Sequence, residues 1–205
     1  IVICKSADVA AWFADEFGKT WRHSGIHPAD WILKMKVERI YPRGFGLSVN
    51  RAIDDLLERY NFTHVHAVVT PGNDKFILRK SDAAGMSAED RATVAALPIR
   101  QLIGSLLYVS QRGRCDILPA LTKVAQTVSS PSLEGWTALK RIVKYLKGTK
   151  DVCLTFNDEC DTTLRGYCDS DWASCSETRR SHSAYCFMLG GGVVSYSRKK
   201  QTCVA

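Results

Sequence analysis

The stretch Trp136-Thr137-Ala138-Leu139-Lys140-Arg141-Ile142-Val143-Lys144-Tyr145-Leu146-Lys147-Gly148-Thr149-Lys150 decides the fold. Trp136, Leu139, Val143 and Leu146 return at helical spacing, while Lys140, Lys144 and Lys147 share another side, so a helix with one buried stripe is expected. Ser130 and Pro131 are read as its N-cap and first turn, and Gly148 as its end. After Asp151 the pattern becomes β-like: residues 152–156, 162–168, 183–189 and 193–197 are predicted strands. Gly190, Gly191 and Gly192 supply a tight hairpin turn. Helices that give way to antiparallel strands define an α+β chain.

Working outward, residues 99–110 carry Leu102, Ile103, Leu106 and Leu107 at helical spacing, and residues 116–128 carry Ile117, Leu121, Val124 and Val128. Between residues 61 and 98 the periodicity fades around Pro71, Gly72, Asn73 and Asp74, which reads as a surface linker. Asn50 caps a predicted helix over 51–60, with Ile53, Leu56, Leu57 and Tyr60 on its buried face. Alternation of Leu33, Met35 and Val37 with Lys34, Lys36 and Glu38 makes residues 31–49 a predicted β-hairpin turning at Pro42, Gly44 and Gly46. Ser6 caps a first helix over 7–17, whose Val9, Trp12, Phe13 and Phe17 form an apolar stripe. Residues 1–4 form a short β-rich stub. The organisation expected is 1–60, a linker 61–98, a helical part 99–150, and a sheet over 151–205 with one apolar face that must pack on something.

The chain has 205 residues, 45 % hydrophobic and 24 % charged, which argues against wholesale disorder and a collagen-like identity. No apolar run approaches the roughly 20 residues of a membrane span, so no membrane partner is expected, and the N-terminal stub is too short for a signal peptide. The net charge of +7 is unevenly placed: residues 1–99 hold 13 basic and 12 acidic side chains, residues 100–205 hold 15 and 9. A basic second half points to an anionic partner such as nucleic acid. Eight cysteines, Cys4, Cys115, Cys153, Cys160, Cys168, Cys175, Cys186 and Cys203, contain no Cys-x-x-Cys and read as reduced structural thiols rather than a zinc site. His23 with His27, and His64 with His66, read as surface or half-buried histidines.

Three further segments follow the 136–150 helix in order: Gly166-Tyr167-Cys168-Asp169-Ser170-Asp171-Trp172-Ala173, Arg179-Arg180-Ser181, and Phe187-Met188-Leu189-Gly190-Gly191-Gly192-Val193-Val194-Ser195-Tyr196-Ser197-Arg198-Lys199-Lys200-Gln201. Together with that helix they resemble the passage from reverse transcriptase into ribonuclease H in the Pol polyprotein of copia-type retrotransposons. Upstream, Leu102-Ile103-Gly104-Ser105-Leu106-Leu107-Tyr108 resembles the family's thumb-to-connection helix. The 33–37 and 50–60 stretches resemble its hairpin and first thumb helix. Ile1-Val2-Ile3-Cys4 resembles the palm strand after the Tyr-x-Asp-Asp motif. The sequence departs from the pattern at Gln111-Arg112-Gly113-Arg114-Cys115-Asp116, where a Thr-Arg-Pro-Asp turn is usual, and at His182 and Ala184.

The resemblance implies RNA-directed DNA synthesis coupled to degradation of RNA–DNA hybrid, chemistry that needs carboxylates around two metal ions. It implies Mg²⁺ as cofactor, with Asp169 as the first ribonuclease H carboxylate, catalytic and metal-binding, and Asp171 as a secondary metal candidate. The remaining carboxylates fall outside these 205 residues, so this chain alone is expected to be inactive. For this chain by itself the favoured reading of Asp169 is a strand-end carboxylate with no metal, because Mg²⁺ is rarely held by one carboxylate without substrate phosphates. Lys140, Arg141, Lys144, Lys147 and Lys150 are candidate phosphate contacts for a hybrid or template-primer, continued by Arg198, Lys199 and Lys200; the plainer reading is a solvated helix face. By the same resemblance the other partner is the remainder of the polyprotein, and the location is a cytoplasmic particle or the nucleus rather than outside the cell. The alternative is a non-catalytic remnant that binds nucleic acid or a protein partner.

Overall fold

The computed structural model describes residues 6–25, 27, 29–40, 43–73, 78–79, 83–157, 162–175 and 177–204. The 1–4 stub lies outside them, as do Pro42 and Asp74 of the two expected turns. Six α-helices and two antiparallel sheets form among the described residues, an α+β arrangement.

Helix α6 (Leu133–Gly148) is the centre of the packing. Its Leu139, Ile142, Val143 and Leu146 are fully buried, each worth roughly 1.5–3 kcal/mol of transfer free energy. The N-cap is Ser132, whose hydroxyl accepts from the Gly135 N–H at 3.2 Å, in place of the expected Ser130; Ser132 is the residue with the extended backbone a cap needs. Around α6 pack α2 (Asn50–Arg59), α4 (Ile99–Arg112) and α5 (Leu118–Ala125). A 3₁₀ turn over Cys115–Ile117 precedes α5, so the helix expected from 116 begins later and ends earlier.

Residues 61–98 are more than a surface linker. They contain α3 (Ala88–Ala96), capped by the Ser87 hydroxyl, and they bury Phe62 and Val94 in the main core. The Phe62 ring lies 6.0 Å from that of Trp136. Sparse apolar residues hid this region: Phe62 and Val94 are its buried anchors, and Val65, Leu78, Met86 and Leu97 are half-buried against the same core at no regular spacing. The N-terminal α1 (Ala7–Gly18) forms as expected with Ser6 as N-cap, yet none of its residues is buried and Trp12 is 64 % exposed.

The expected hairpin is a meander. Strand β1 (Trp31–Ile32) turns at Leu33 and Lys34 into β2 (Met35–Ile40), which pairs with β3 (Gly44–Ser48). Leu33 and Lys34 both take positive φ, 50° and 65°, a conformation that favours glycine or asparagine. Their side chains therefore gave no turn signal. The Tyr108 hydroxyl donates to the Leu33 carbonyl at 3.1 Å and ties the turn to α4.

The expected 152–156 strand forms as β4 (Leu154–Asn157), but it joins this first sheet by pairing with β3, not the later strands. Phe45 and Phe156 stack at 5.0 Å across the pair. A Cβ on Gly44 would stand 2.7 Å from the Phe156 carbonyl oxygen, so the close approach requires glycine there. Strands β5 (Arg165–Ser170), β6 (His182–Leu189) and β7 (Gly192–Lys200) make the second sheet. Gly190 and Gly191, both at positive φ, turn β6 into β7 as a two-residue hairpin turn requires. That turn meets β4, where the Asn157 N–H donates to the Gly190 carbonyl at 2.9 Å.

Candidate nucleic-acid interface

The stretch 100–150 holds nine basic and two acidic residues, and the fold divides its cations into two kinds. Arg141 donates from Nη2 to Thr70 Oγ1 at 2.7 Å and from Nε to the Gly72 carbonyl at 3.3 Å. Lys147 Nζ donates to the Thr63 and Val65 carbonyls at 2.6 and 2.8 Å, and Lys150 pairs with Asp54 at 3.4 Å. These three fasten the 63–72 path and α2 onto α6. Lys140 and Lys144 have no partner among the described residues; one turn apart on α6, they line a cleft of about 530 Å³ between α6, α5 and the 68–73 segment, with Lys123 of α5 on the same lining. Sequence reasoning passed over Lys123. Its signal is weak, a single lysine on a short helix whose register against α6 is set only by packing.

The second sheet treats its candidates the same way. Asp169 lies on the edge strand β5, exposed and unpartnered among the described residues, opposite Ala184. Asp171 falls just beyond β5 and is engaged: its carboxylate accepts from the His182 N–H at 2.7 Å and pairs with Arg198 at 3.5 Å. Burial alone would raise the Asp171 carboxyl, but those contacts and the Ser174 hydroxyl outweigh it and hold it below the ordinary carboxylate range. Arg198 also donates to Thr122 Oγ1 at 2.7 Å, joining β7 to the middle of α5. Lys200 Nζ donates to Cys175 Sγ at 2.8 Å, leaving Lys199 as the exposed, unpartnered cation of β7. Among the described residues no group of three or more His, Cys, Asp or Glu could hold a metal ion.

His182, only 6 % exposed, is the hub of this junction. Its Nε2 lies 2.7 Å from the Gln126 amide nitrogen, and its Nδ1 is 2.9 Å from Ser174 Oγ and 3.3 Å from Asp171 Oδ2. With Gln126 donating, Nε2 accepts and Nδ1–H donates, which is the neutral ring. Burial, reinforced by the Arg198 charge, pushes its pKa down.

The departure at 111–116 contains the other hub. Arg114 is fully buried and forks onto Asp116 at 2.7 Å through Nη2 and 3.1 Å through Nε; Nη1 reaches the Thr149 carbonyl at 2.8 Å. Tyr145 donates to the same carboxylate at 2.8 Å. Burial would raise the Asp116 carboxyl, but the Arg114 and Tyr145 hydrogen bonds prevail and lower it. Arg114 and Asp116 thus lock the α4–α5 corner to the end of α6.

No family model and no solved structure matches the chain. Over its whole length it is 32 % identical to the retrovirus-related Pol polyprotein from transposon TNT 1-94 of Nicotiana tabacum, of which it spans 15 %. Over 87 % of its length it is 31 % identical to the Pol polyprotein from transposon RE1 of Arabidopsis thaliana, spanning 11 % of that protein. An uncharacterized mitochondrial protein of Arabidopsis thaliana is 28 % identical over 93 % of the chain, which covers 75 % of it. With homologues of this name along its full extent, the chain belongs to the Pol polyprotein family of copia-type retrotransposons.

Proposed function

We propose that the chain is the part of Pol that runs from the end of the reverse-transcriptase palm, through thumb and connection, into the first strands of ribonuclease H, and that it holds RNA–DNA hybrid or template-primer. The collinear series from Trp136 to Gln201 carries this reading, and the unpartnered Lys140, Lys144 and Lys199 give it a charge basis. DNA synthesis and hybrid degradation belong to the longer polyprotein, whose remaining segments are the natural partners of this one. Its setting is the family's cytoplasmic particle and the nucleus.

In this reading Asp169 is one ligand of a Mg²⁺ site that the described residues do not complete. Asp171 is committed to His182 and Arg198, and one exposed carboxylate does not retain Mg²⁺ without other ligands or substrate phosphates. The 205 residues alone therefore catalyse neither reaction. Mg²⁺ would polarise the scissile phosphate and activate water if further carboxylates were supplied.

Titrating labelled RNA–DNA hybrid at several salt concentrations tests the binding. Three phosphate contacts give a log–log salt slope of about −3, and reversing Lys140 and Lys144 to glutamate reduces it. Absent or salt-insensitive binding overturns the reading. Mg²⁺-dependent cleavage of the RNA strand, lost in Asp169→Asn, overturns the inactivity. The short mitochondrial relative, three-quarters covered, favours a second reading, a non-catalytic binding remnant. The intact mass of the native product separates the two: a long polyprotein supports the first, a product near 22.8 kDa the second.

A further inference from the structure

We propose that the cleft between α5, α6 and the 68–73 segment is a site for one nucleotide of unpaired nucleic acid, distinct in ligand class from the duplex-holding surface. It rests on the preceding reading only for the choice of nucleic acid as partner. The shape comes first. At about 530 Å³ the cleft lies in the range of small-molecule sites, roughly 300–1,000 Å³. It is concave, whereas a duplex presents its phosphates on a convex surface with a major groove about 12 Å wide. One nucleotide can enter such a hollow, whereas a duplex can only lie across its mouth, where the Lys140 and Lys144 ammonium groups can still meet its phosphates.

The lining comes second. Val68, Leu78, Ala120 of α5 and Ala138 of α6, all half-buried on the lining, give the cleft accessible apolar surface against which a planar ring can lie, above the buried Val124 and Ile142. Around it stand Lys123, Lys140 and Lys144, none with a hydrogen-bond or ion-pair partner among the described residues. Three cations gathered on one cleft repel one another, and an anion seated between them relieves the repulsion. Asp116, the one carboxylate of the lining, is already taken by Arg114 and Tyr145. Arg141, also in the lining, spends its guanidinium on Thr70 and Gly72 and thereby braces the wall opposite the helices. An apolar base beneath separate cations matches a nucleotide, whose base and phosphate need those two surfaces.

The test uses fluorescein-labelled octathymidylate, a labelled hybrid, unlabelled thymidine monophosphate and a polyglutamate peptide. Octathymidylate binding is expected to have a log–log salt slope of about −0.7 to −1.4, the value for the one or two phosphates that flank a single nucleotide of a strand. Binding weakens tenfold or more in Lys123→Glu/Lys144→Glu. The deciding variant is Thr137→Trp, an exposed α6 position on the cleft lining whose hydroxyl bonds only within its own helix. It fills the cleft without changing charge, so single-strand binding is lost while hybrid binding stays within twofold. Competition by thymidine monophosphate points to a free nucleotide as the source, and its failure to compete points to a strand; both support the site. Unchanged octathymidylate affinity in a folded Thr137→Trp protein overturns it, as does tighter binding of polyglutamate. Hybrid binding without single-strand binding sinks this inference alone, and the converse sinks the duplex-holding reading alone.

Discussion

The helical core and the β5–β7 sheet use apolar residues at equally regular spacing and end in opposite states. In the helices Leu102, Leu106, Ile117, Leu121, Leu139, Ile142 and Leu146 are all 0 % exposed. On β6 the alternating Tyr185, Phe187 and Leu189 remain 42, 39 and 40 % exposed, although Tyr185 and Phe187 pack on each other at 5.6 Å. Period names the face that wants cover. Whether it receives cover depends on a second layer, which four helices provide in one region and the sheet's outer face lacks among the described residues.

The largest effect expected from this contrast is in the core. Leu146→Ala removes a fully buried side chain and costs about 2–5 kcal/mol, whereas Phe187→Ser, which loses a partly exposed ring and its contact with Tyr185, costs about 1 kcal/mol. Urea denaturation of both variants measures the difference, and equal losses would mean that the sheet face is covered in solution. Asp116→Asn comes next. It leaves the buried Arg114 guanidinium without its counter-charge, which costs about 3 kcal/mol, the low end of the range for a broken buried pair, because the Asp116 side chain is itself 34 % exposed. The wild-type carboxyl titrates below its ordinary 3.8. Its contribution is therefore complete above that pH and is lost as the pH falls through the folded value, so acid unfolding should begin at higher pH when Tyr145→Phe removes one of its donors.

How much was legible follows the same division. Helix α6, α2 and the β6–β7 hairpin could be read because their signals, a helical stripe and a glycine pair, lie within a few residues of each other. The Leu33–Lys34 turn had no such signal, and β4 could be recognised as a strand but not assigned a partner, since alternation specifies a face and no neighbour. The candidate site shows the limit most clearly. Lys140, Lys144 and Lys147 share a side of α6 by spacing, with Arg141 and Lys150 nearby, but which of these cations meet carbonyls at Thr63, Val65 and Gly72 is set by a chain path with little periodicity. Likewise Asp171 looks like a metal ligand beside Asp169 until His182, eleven residues on, claims it.

A smaller effect tests the seam between the two regions. His182 is neutral in the fold and its pKa is lowered, so unfolded chains take up a proton first as the pH drops below the ordinary 6.5. Stability falls with acid in that window by up to about 1.4 kcal/mol per pH unit. Replacing it in His182→Gln, which keeps a polar side chain near Gln126 and Ser174, should flatten this slope while lowering stability at pH 7.5. An unchanged slope would place the titration elsewhere.

The smallest effect leaves stability near neutrality untouched. Burial would raise the Cys175 thiol, but the Lys200 ammonium at 2.8 Å, with help from Thr178, brings it down to about 7. A depressed acid adds stability fully only above its unfolded pKa and loses it as the pH falls through 7, so the readout is reactivity rather than unfolding. Alkylation of Cys175 by iodoacetamide, followed by peptide mass, should be half-maximal near pH 7, and Lys200→Met should move the midpoint up towards the ordinary thiol value of about 8.5. Adding hybrid sharpens the comparison between paired and unpaired cations. A Lys200 held by Cys175 is not a phosphate contact, and the midpoint stays where it was. A midpoint that rises with bound hybrid would mean that phosphate draws Lys200 away, returning it to the set of contacts that its spacing beside Arg198 and Lys199 first suggested.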